Sequence, residues 1–265
     1  MSIWIDRWIT IYFCFLAFVL GTVFGSFLNC AAWRTAHGES FIKGHSRCPE
    51  CGHELKTADL IPVLSWIYLR GRCRYCKAKI SVRYPLTEIA FGLITLLCLL
   101  RFDLTVLCLR NWIFLCCLFF LSLVDLEDQT IPDGSLIVAA LAWLAALPLM
   151  HTGLKEAGLQ LLAGFTFGAA LLLLSLLMDR LLKKDSLGGG DIKLFAVVGL
   201  YLGFVGTLFA LMIACAAGLL FAAVLFKSNM KGRAFPFGPA ISFAAAFMLL
   251  FGSGLTDWYL GLLGL

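Results

Sequence analysis

Long apolar runs separated by short polar segments dominate this chain of 265 residues. An apolar run of about 20 residues is long enough to cross a bilayer as a helix. The pattern predicts about eight such helices, at residues 9–31, 86–100, 104–124, 134–150, 158–178, 192–205, 207–226 and 238–256. We therefore expect an all-α polytopic membrane protein with about eight transmembrane helices.

One polar segment, residues 32–85, interrupts this pattern after the first apolar run and holds four paired cysteines. The first run is too long for the apolar core of a signal peptide, and no small-residue cleavage site closes it. The sequence therefore predicts three parts: a first transmembrane helix in 1–31, a small insert in 32–85, and a transmembrane domain in 86–265.

Composition excludes an ordinary soluble domain, because 61% of the residues are hydrophobic and only 14% are charged. Soluble chains are about half apolar and about a quarter charged.

The basic residues indicate the orientation of the chain in the membrane. Of 21 Lys and Arg residues, 17 lie in three segments, 32–88, 179–193 and 227–233. The positive-inside rule places such segments in the cytoplasm, and an eight-helix path then puts both termini in the periplasm. The net charge of +5 thus reports topology, and we expect membrane lipid but no nucleic acid as a partner.

Four of the eleven cysteines form two C-x₂-C pairs in the insert, Cys48 with Cys51 and Cys73 with Cys76. Two such pairs at this separation are typical of a tetrahedral zinc site. A shell filled by four thiolates leaves no open position for water, so the expected zinc is structural. Two disulfides are the alternative, although a cytoplasmic loop is reducing. His45 and His53 are further candidate ligands.

Two carboxylates stand at the ends of apolar runs and are candidates for catalysis. Asp125 directly follows the apolar residues 112–124, and Asp191 follows three consecutive glycines, 188–190. Ionisable groups at membrane depth are costly and are often functional. Two neighbouring carboxylates that share a proton supply a general base and a general acid, as peptide hydrolysis requires.

Each carboxylate also has a structural interpretation. Asp191 could cap a helix that begins at Ile192, and Asp125 could simply end a membrane helix. Asp128 and Asp133 could form turns around Pro132.

At this point the sequence resembles the bacterial type IV prepilin peptidases. The shared motifs, in chain order, are 25–29, the two cysteine pairs, 84–88, Asp125 with 131–133, 188–194 and 236–239. The resemblance implies an aspartyl protease of the GxGD type in the bacterial inner membrane, with Asp125 and Asp191 as its catalytic dyad.

The resemblance also implies substrates and a second activity. The enzyme would remove the leader peptide of type IV prepilins and type II secretion pseudopilins at the cytoplasmic face. Many members then methylate the new N-terminal residue with S-adenosylmethionine. The insert contains no glycine-rich cofactor loop, so the residues that would bind S-adenosylmethionine are not assigned.

Two other classes of function compete with this interpretation. A transporter would use the carboxylates as proton or cation relays, which are expected near the middle of the bilayer between broken helices. An assembly scaffold would not require both aspartates. The position of Asp125 and Asp191 along their helices distinguishes the first alternative.

Overall fold

The computed structural model describes residues 7–40, 45–183, 187–227, 236–262 and 264, with the backbone alone for 224–227. Within these ranges the regular structure is helical and contains no β-strand. The chain divides into two compact units, residues 1–108 and 109–265. Parts of two predicted cytoplasmic loops, 184–186 with Asp185 and 228–235, lie outside the described residues.

The first unit contains two long helices and the insert between them. Its helices are α1 (Arg7–Ala36), α2 (Leu64–Tyr68) and α3 (Arg83–Phe102), with a 3₁₀ turn at Thr57–Asp59. Glycines allow α1 and α3 to approach closely: a Cβ added at Gly21 would come within 2.6 Å of Thr95 Oγ1. Small residues at the contact are what membrane helices use to pack tightly.

The second unit contains the remaining helices. These are α4 (Val106–Asp128), α5 (Asp133–Leu149), α6 (Leu154–Leu182), α7 (Gly189–Lys227), α8 (Gly238–Phe251) and α9 (Ser253–Leu262). The backbones of α6 and α7 nearly touch, because a Cβ added at Gly199 would lie 2.5 Å from Gly164 Cα. Tyr201 of α7 donates a hydrogen bond of 2.7 Å to the carbonyl of Ala139 in α5.

The helices in the described residues do not confirm the predicted number of eight spans. In the described residues five helices are long and apolar enough to cross a membrane, or six if α8 and α9, bent by 77°, count as one span. Helix α5 is apolar but has only 17 residues, which is at the lower limit of the length that crosses a bilayer. The predicted runs 192–205 and 207–226 both lie in α7, where only Gly203, at φ 65°, leaves the helical conformation.

The sequence divided this region at 206, so the predicted boundary between the two runs lies close to the break at Gly203. Glycine adopts positive φ without steric cost, which allows the helix to break at Gly203. The structure therefore supports an all-helical, multi-pass chain but does not confirm eight spans.

Candidate active site and metal centre

Asp125 lies in the last turn of α4, and its residue surface is only 5% exposed. Its Oδ2 accepts a hydrogen bond of 2.9 Å from the backbone N–H of Gly238. Gly238 is the first residue of α8, so the carboxylate faces the N-terminus of that helix. The unpaired N–H groups and the helix dipole favour negative charge at such a position.

Gly238 leaves the space that the Asp125 carboxylate occupies. A Cβ added at this glycine would lie 2.8 Å from Asp125 Oδ2, which is closer than Cβ contacts occur. Any larger residue would push the carboxylate away from the N-terminus of α8. The glycine of the 236–239 motif is therefore explained by its contact with Asp125.

Asp191 is the third residue of α7 and is half-buried. Its own N–H donates to the carbonyl of Gly188 at 3.1 Å, and the N–H of Ile192 donates to the same carbonyl at 3.4 Å. Asp191 thus lies inside the first helical turn and not at a cap before Ile192. Acidic residues in a first turn interact favourably with the helix dipole.

The two predicted catalytic carboxylates both lie in the second unit. Asp125 is near enough to Asp191 for their charges to interact. Asp125 faces the N-terminus of α8, and Asp191 lies at the N-terminus of α7. Both side chains are therefore at helix ends and not in the middle of long helices.

The loop between α4 and α5 packs against this site. A Cβ added at Gly190 would lie 2.8 Å from Ile131 Cβ, so the glycine admits Ile131 close to the first turn of α7. Lys193 Nζ forms an ion pair with Asp133 at 2.8 Å. Both side chains of this pair are mostly exposed, and exposed pairs contribute about 0–1 kcal/mol.

The four insert cysteines come together as predicted. Their Sγ atoms all lie within 4.8 Å of one another, and Cys48 Sγ is 3.8 Å from Cys76 Sγ. A tetrahedral ion with metal–sulfur bonds of about 2.3 Å separates its ligands by about 3.8 Å. All four are free thiols, so this donor set fits a metal ion.

The two cysteine pairs sit in equivalent turns. In the first, Cys48 N–H donates to the His53 carbonyl and Gly52 N–H donates to the Cys48 carbonyl. In the second, Cys73 N–H donates to the Ala78 carbonyl and Lys77 N–H to the Cys73 carbonyl. A backbone hydrogen bond from Cys76 lowers the pKa of Cys73 to about 7, although burial acts in the opposite direction.

The candidate histidines take other roles. The ring of His53 packs on Tyr75 with 3.6 Å between centroids, which joins the first cysteine turn to the second. The carbonyl of His45 accepts a hydrogen bond from Arg34. The cluster of possible metal ligands in the described chain consists of the four cysteines alone.

Asp59 holds the second cysteine turn against the rest of the insert, a role that the sequence did not indicate. Its side chain is 2% exposed and accepts a hydrogen bond of 2.6 Å from Arg74 Nε. Burial by itself would raise the pKa of Asp59, but the hydrogen bonds from Arg74 and the Lys56 backbone hold it below its usual value.

Glu88 connects the insert to both long helices of the first unit. This carboxyl is only 7% exposed and accepts a hydrogen bond of 2.7 Å from the backbone N–H of Val63. It also hydrogen-bonds to the side chain of Ser26 in α1. Glu88 belongs to the 84–88 motif, which was the only sequence signal for this contact.

Comparisons with known proteins agree with these observations. Residues 19–102 match the family model of the bacterial peptidase A24 N-terminal domain. Residues 112–223 match that of the type IV leader peptidase family.

Curated relatives extend over most of the chain. The type 4 prepilin-like proteins leader peptide-processing enzyme of Escherichia coli O78:H11 is 35% identical, over 86% of this chain and 90% of that protein. The prepilin leader peptidase/N-methyltransferase of Bacillus subtilis is 31% identical over 92% and 97%. The Myxococcus xanthus protein of the same name is 34% identical over 84% of this chain, which spans 66% of its length. No solved structure matches the chain.

Proposed function

The chain belongs to the type IV leader peptidase family, and we propose that it removes the leader peptides of type IV prepilins and type II secretion pseudopilins. Asp125 and Asp191 form the catalytic dyad in this proposal. The observation that supports it is that Asp125 faces the N-terminus of α8, Asp191 lies in the first turn of α7, and the two are near enough for their charges to interact.

The dyad divides the chemistry of peptide hydrolysis between its two carboxyl groups. Neighbouring carboxylates do not both ionise readily, so the pair shares one proton. The ionised member takes a proton from water as the water oxygen attacks the scissile carbonyl carbon. The protonated member gives its proton to the amide nitrogen as the carbon–nitrogen bond breaks.

The position of the dyad favours a protease over a transporter. Asp125 lies three residues before the end of α4, and Asp191 lies two residues after the start of α7. Relay carboxylates are expected near the bilayer midplane, whereas these positions allow access from an aqueous face. We assign that face to the cytoplasm of a bacterial inner membrane, because the basic segments flank the same helix ends.

The four cysteines hold a structural zinc ion in this proposal. A small insert buries little apolar surface, and a metal supplies the stabilisation that its core lacks. Zinc bound by Cys48, Cys51, Cys73 and Cys76 has a closed shell, so its contribution is to the folding of the insert. Peptide hydrolysis is carried out by the carboxylate dyad and not by the zinc ion.

The chain also methylates the new N-terminal residue of its product in this proposal, with S-adenosylmethionine as methyl donor. The relatives from Bacillus subtilis and Myxococcus xanthus carry both activities in their names. Methyl transfer to an amine needs no carboxylate dyad, so the two reactions are expected to use different groups.

The decisive experiment incubates the purified protein with a prepilin-type peptide and S-adenosylmethionine and measures cleavage and methyl gain by mass spectrometry. Asp125→Asn and Asp191→Asn should each abolish cleavage without changing membrane insertion or metal content. Asp128→Asn, Asp133→Asn and Asp185→Asn are the matched controls and should retain substantial activity. A folded Asp191→Asn protein that still cleaves the peptide would overturn the assignment.

A further inference from the structure

Four large apolar side chains in α2 and just before it are exposed. We call these four residues the insert strip: Ile61, Leu64, Ile67 and Tyr68. Their exposures are 46%, 65%, 59% and 77%. Large apolar groups exposed together on a small polar insert mark a surface that contacts something apolar.

Helical geometry places three members of the insert strip, Leu64, Ile67 and Tyr68, on one face of α2. The Ser65 N–H donates to the Ile61 carbonyl, so Ile61 lies beside the start of α2 although Val63 between them is not helical. Residues three and four apart share a helix face. The opposite face is used within the insert: Trp66 Nε1 donates to the Ile80 carbonyl, and a Cβ added at Gly71 would meet the Trp66 ring at 2.9 Å.

The contact between Val63 and Glu88 fixes the insert strip at a particular depth. Glu88 lies five residues into α3, which is about 7.5 Å along the axis of a membrane helix. Val63 lies between Ile61 and Leu64 and is hydrogen-bonded to this carboxyl. The insert strip is thus held beside the first turns of α3, at the level where that helix enters the membrane.

The backbone conformation of Val63 indicates that surrounding contacts hold the insert strip in this position. Val63 has φ 61° and ψ −51°, a conformation that is costly for a β-branched residue. Such a conformation persists only where surrounding contacts hold it. The hydrogen bond to Glu88, which is buried and also bonded to Ser26, is the contact that does so.

The charge next to the insert strip is strongly positive. Residues 70–83 contain six Lys and Arg residues and no Asp or Glu. The guanidinium carbon of Arg74 lies 6.0 Å from the centre of the Tyr68 ring. Basic residues beside exposed apolar ones are typical of segments that lie in the interface of a membrane with anionic lipids.

We propose that the insert strip lies in the headgroup region of the membrane that the chain itself spans, against anionic phospholipid. The apolar side chains enter the boundary of the acyl chains, and basic residues of 70–83 other than Arg74, which pairs with Asp59, face lipid phosphates. The zinc-binding turns are then anchored at two points, by Glu88 and by lipid. This inference depends on the membrane helices and not on the protease assignment.

The test places a photo-crosslinking amino acid, p-benzoylphenylalanine, at Tyr68 or Ile67 of the full-length protein. The matched control carries it at Glu50, which is exposed in the first cysteine turn. Each protein is reconstituted in phosphatidylcholine vesicles with phosphatidylglycerol, with and without a prepilin-type peptide, and irradiated. Lipid adducts are counted by mass spectrometry, and metal content reports the folding of each variant.

We expect lipid adducts at Tyr68 and Ile67 to exceed those at Glu50 by at least about five-fold, because only the insert strip reaches the acyl boundary. Replacing phosphatidylglycerol by phosphatidylcholine should lower the ratio of lipid adducts at Tyr68 and Ile67 to those at Glu50. Glu88→Ala should lower this ratio as well, with the metal still bound. Equal adducts at Tyr68 and Glu50, or peptide adducts in place of lipid adducts at Tyr68, would overturn the proposal.

Discussion

The backbone N–H of Gly238 donates a hydrogen bond of 2.9 Å to the carboxylate of Asp125, which lies 113 positions earlier in the chain. This contact brings the N-terminus of α8 to the end of α4. It gives the carboxylate a donor in an environment with little water. Activity should therefore depend on a glycine that has no functional side chain.

Gly238→Ala should reduce cleavage by on the order of 100-fold, because displacing a catalytic group by about 1 Å has an effect of this size. The added Cβ would lie 2.8 Å from Asp125 Oδ2, so the carboxylate or α8 must move. The measurement is kcat/KM with a prepilin-type peptide. Gly134→Ala is the control, since nothing lies within 4 Å of a Cβ at that position. Equal activity of the two variants would contradict the importance of the contact.

Removing one thiol from the metal centre should release the metal. Cys48→Ser or Cys73→Ser leaves three of the four sulfurs that now lie within 4.8 Å of one another. Elemental analysis of the purified variants measures the loss, and full occupancy after all four cysteines are replaced would contradict the site. Metal should also be lost as the pH falls, because protons compete for the thiolates. Chelation should weaken cleavage only indirectly, through the insert.

Substitutions at the equivalent positions of the two cysteine turns should have different effects on the stability of the insert. Gly52 has φ 67° and Lys77 has φ 64°, and both conformations favour glycine. Gly52→Ala should destabilise the insert by about 1 kcal/mol, whereas Lys77→Gly should not. Resistance of the bound metal to a chelator provides the measurement. Faster metal loss from Lys77→Gly than from Gly52→Ala would show that the φ angle is not the determinant.

Methylation should be separable from cleavage. Asp125→Asn should still methylate a peptide supplied with its mature N-terminus, because methyl transfer needs no acid–base pair of carboxylates. Methyl gain measured by mass spectrometry tests this, with the unmodified protein and the same peptide as reference. A folded variant that is inert in both reactions would mean that the two activities share a site.

The topology predicted from charge can be tested separately from the number of spans. Both termini should lie in the periplasm, and residues 32–85, 125–133, 179–191 and 227–237 in the cytoplasm. Reporter fusions or cysteine-accessibility labelling at these positions measure the sidedness. A cytoplasmic C-terminus would indicate an odd number of crossings and would contradict the eight-helix path.

The sequence by itself determined the helical, apolar character of the chain and the two chemical clusters. Apolar length reports membrane helices directly, because the bilayer requires it. The spacing within each cysteine pair predicted the metal centre, since four ligands on two short turns need little long-range information. The three glycines before Asp191 and the apolar run before Asp125 marked both carboxylates.

Only the tertiary structure decided how distant segments meet. Two contacts, Gly238 with Asp125 and Val63 with Glu88, join residues far apart in sequence. A hydropathy pattern does not report contacts between distant residues. The sequence divided the region of α7 at 206, and the structure places the break at Gly203, where one residue at positive φ interrupts the helix. Local pattern therefore identified the candidate carboxylates and cysteines, whereas packing at glycines and buried hydrogen bonds determined their positions.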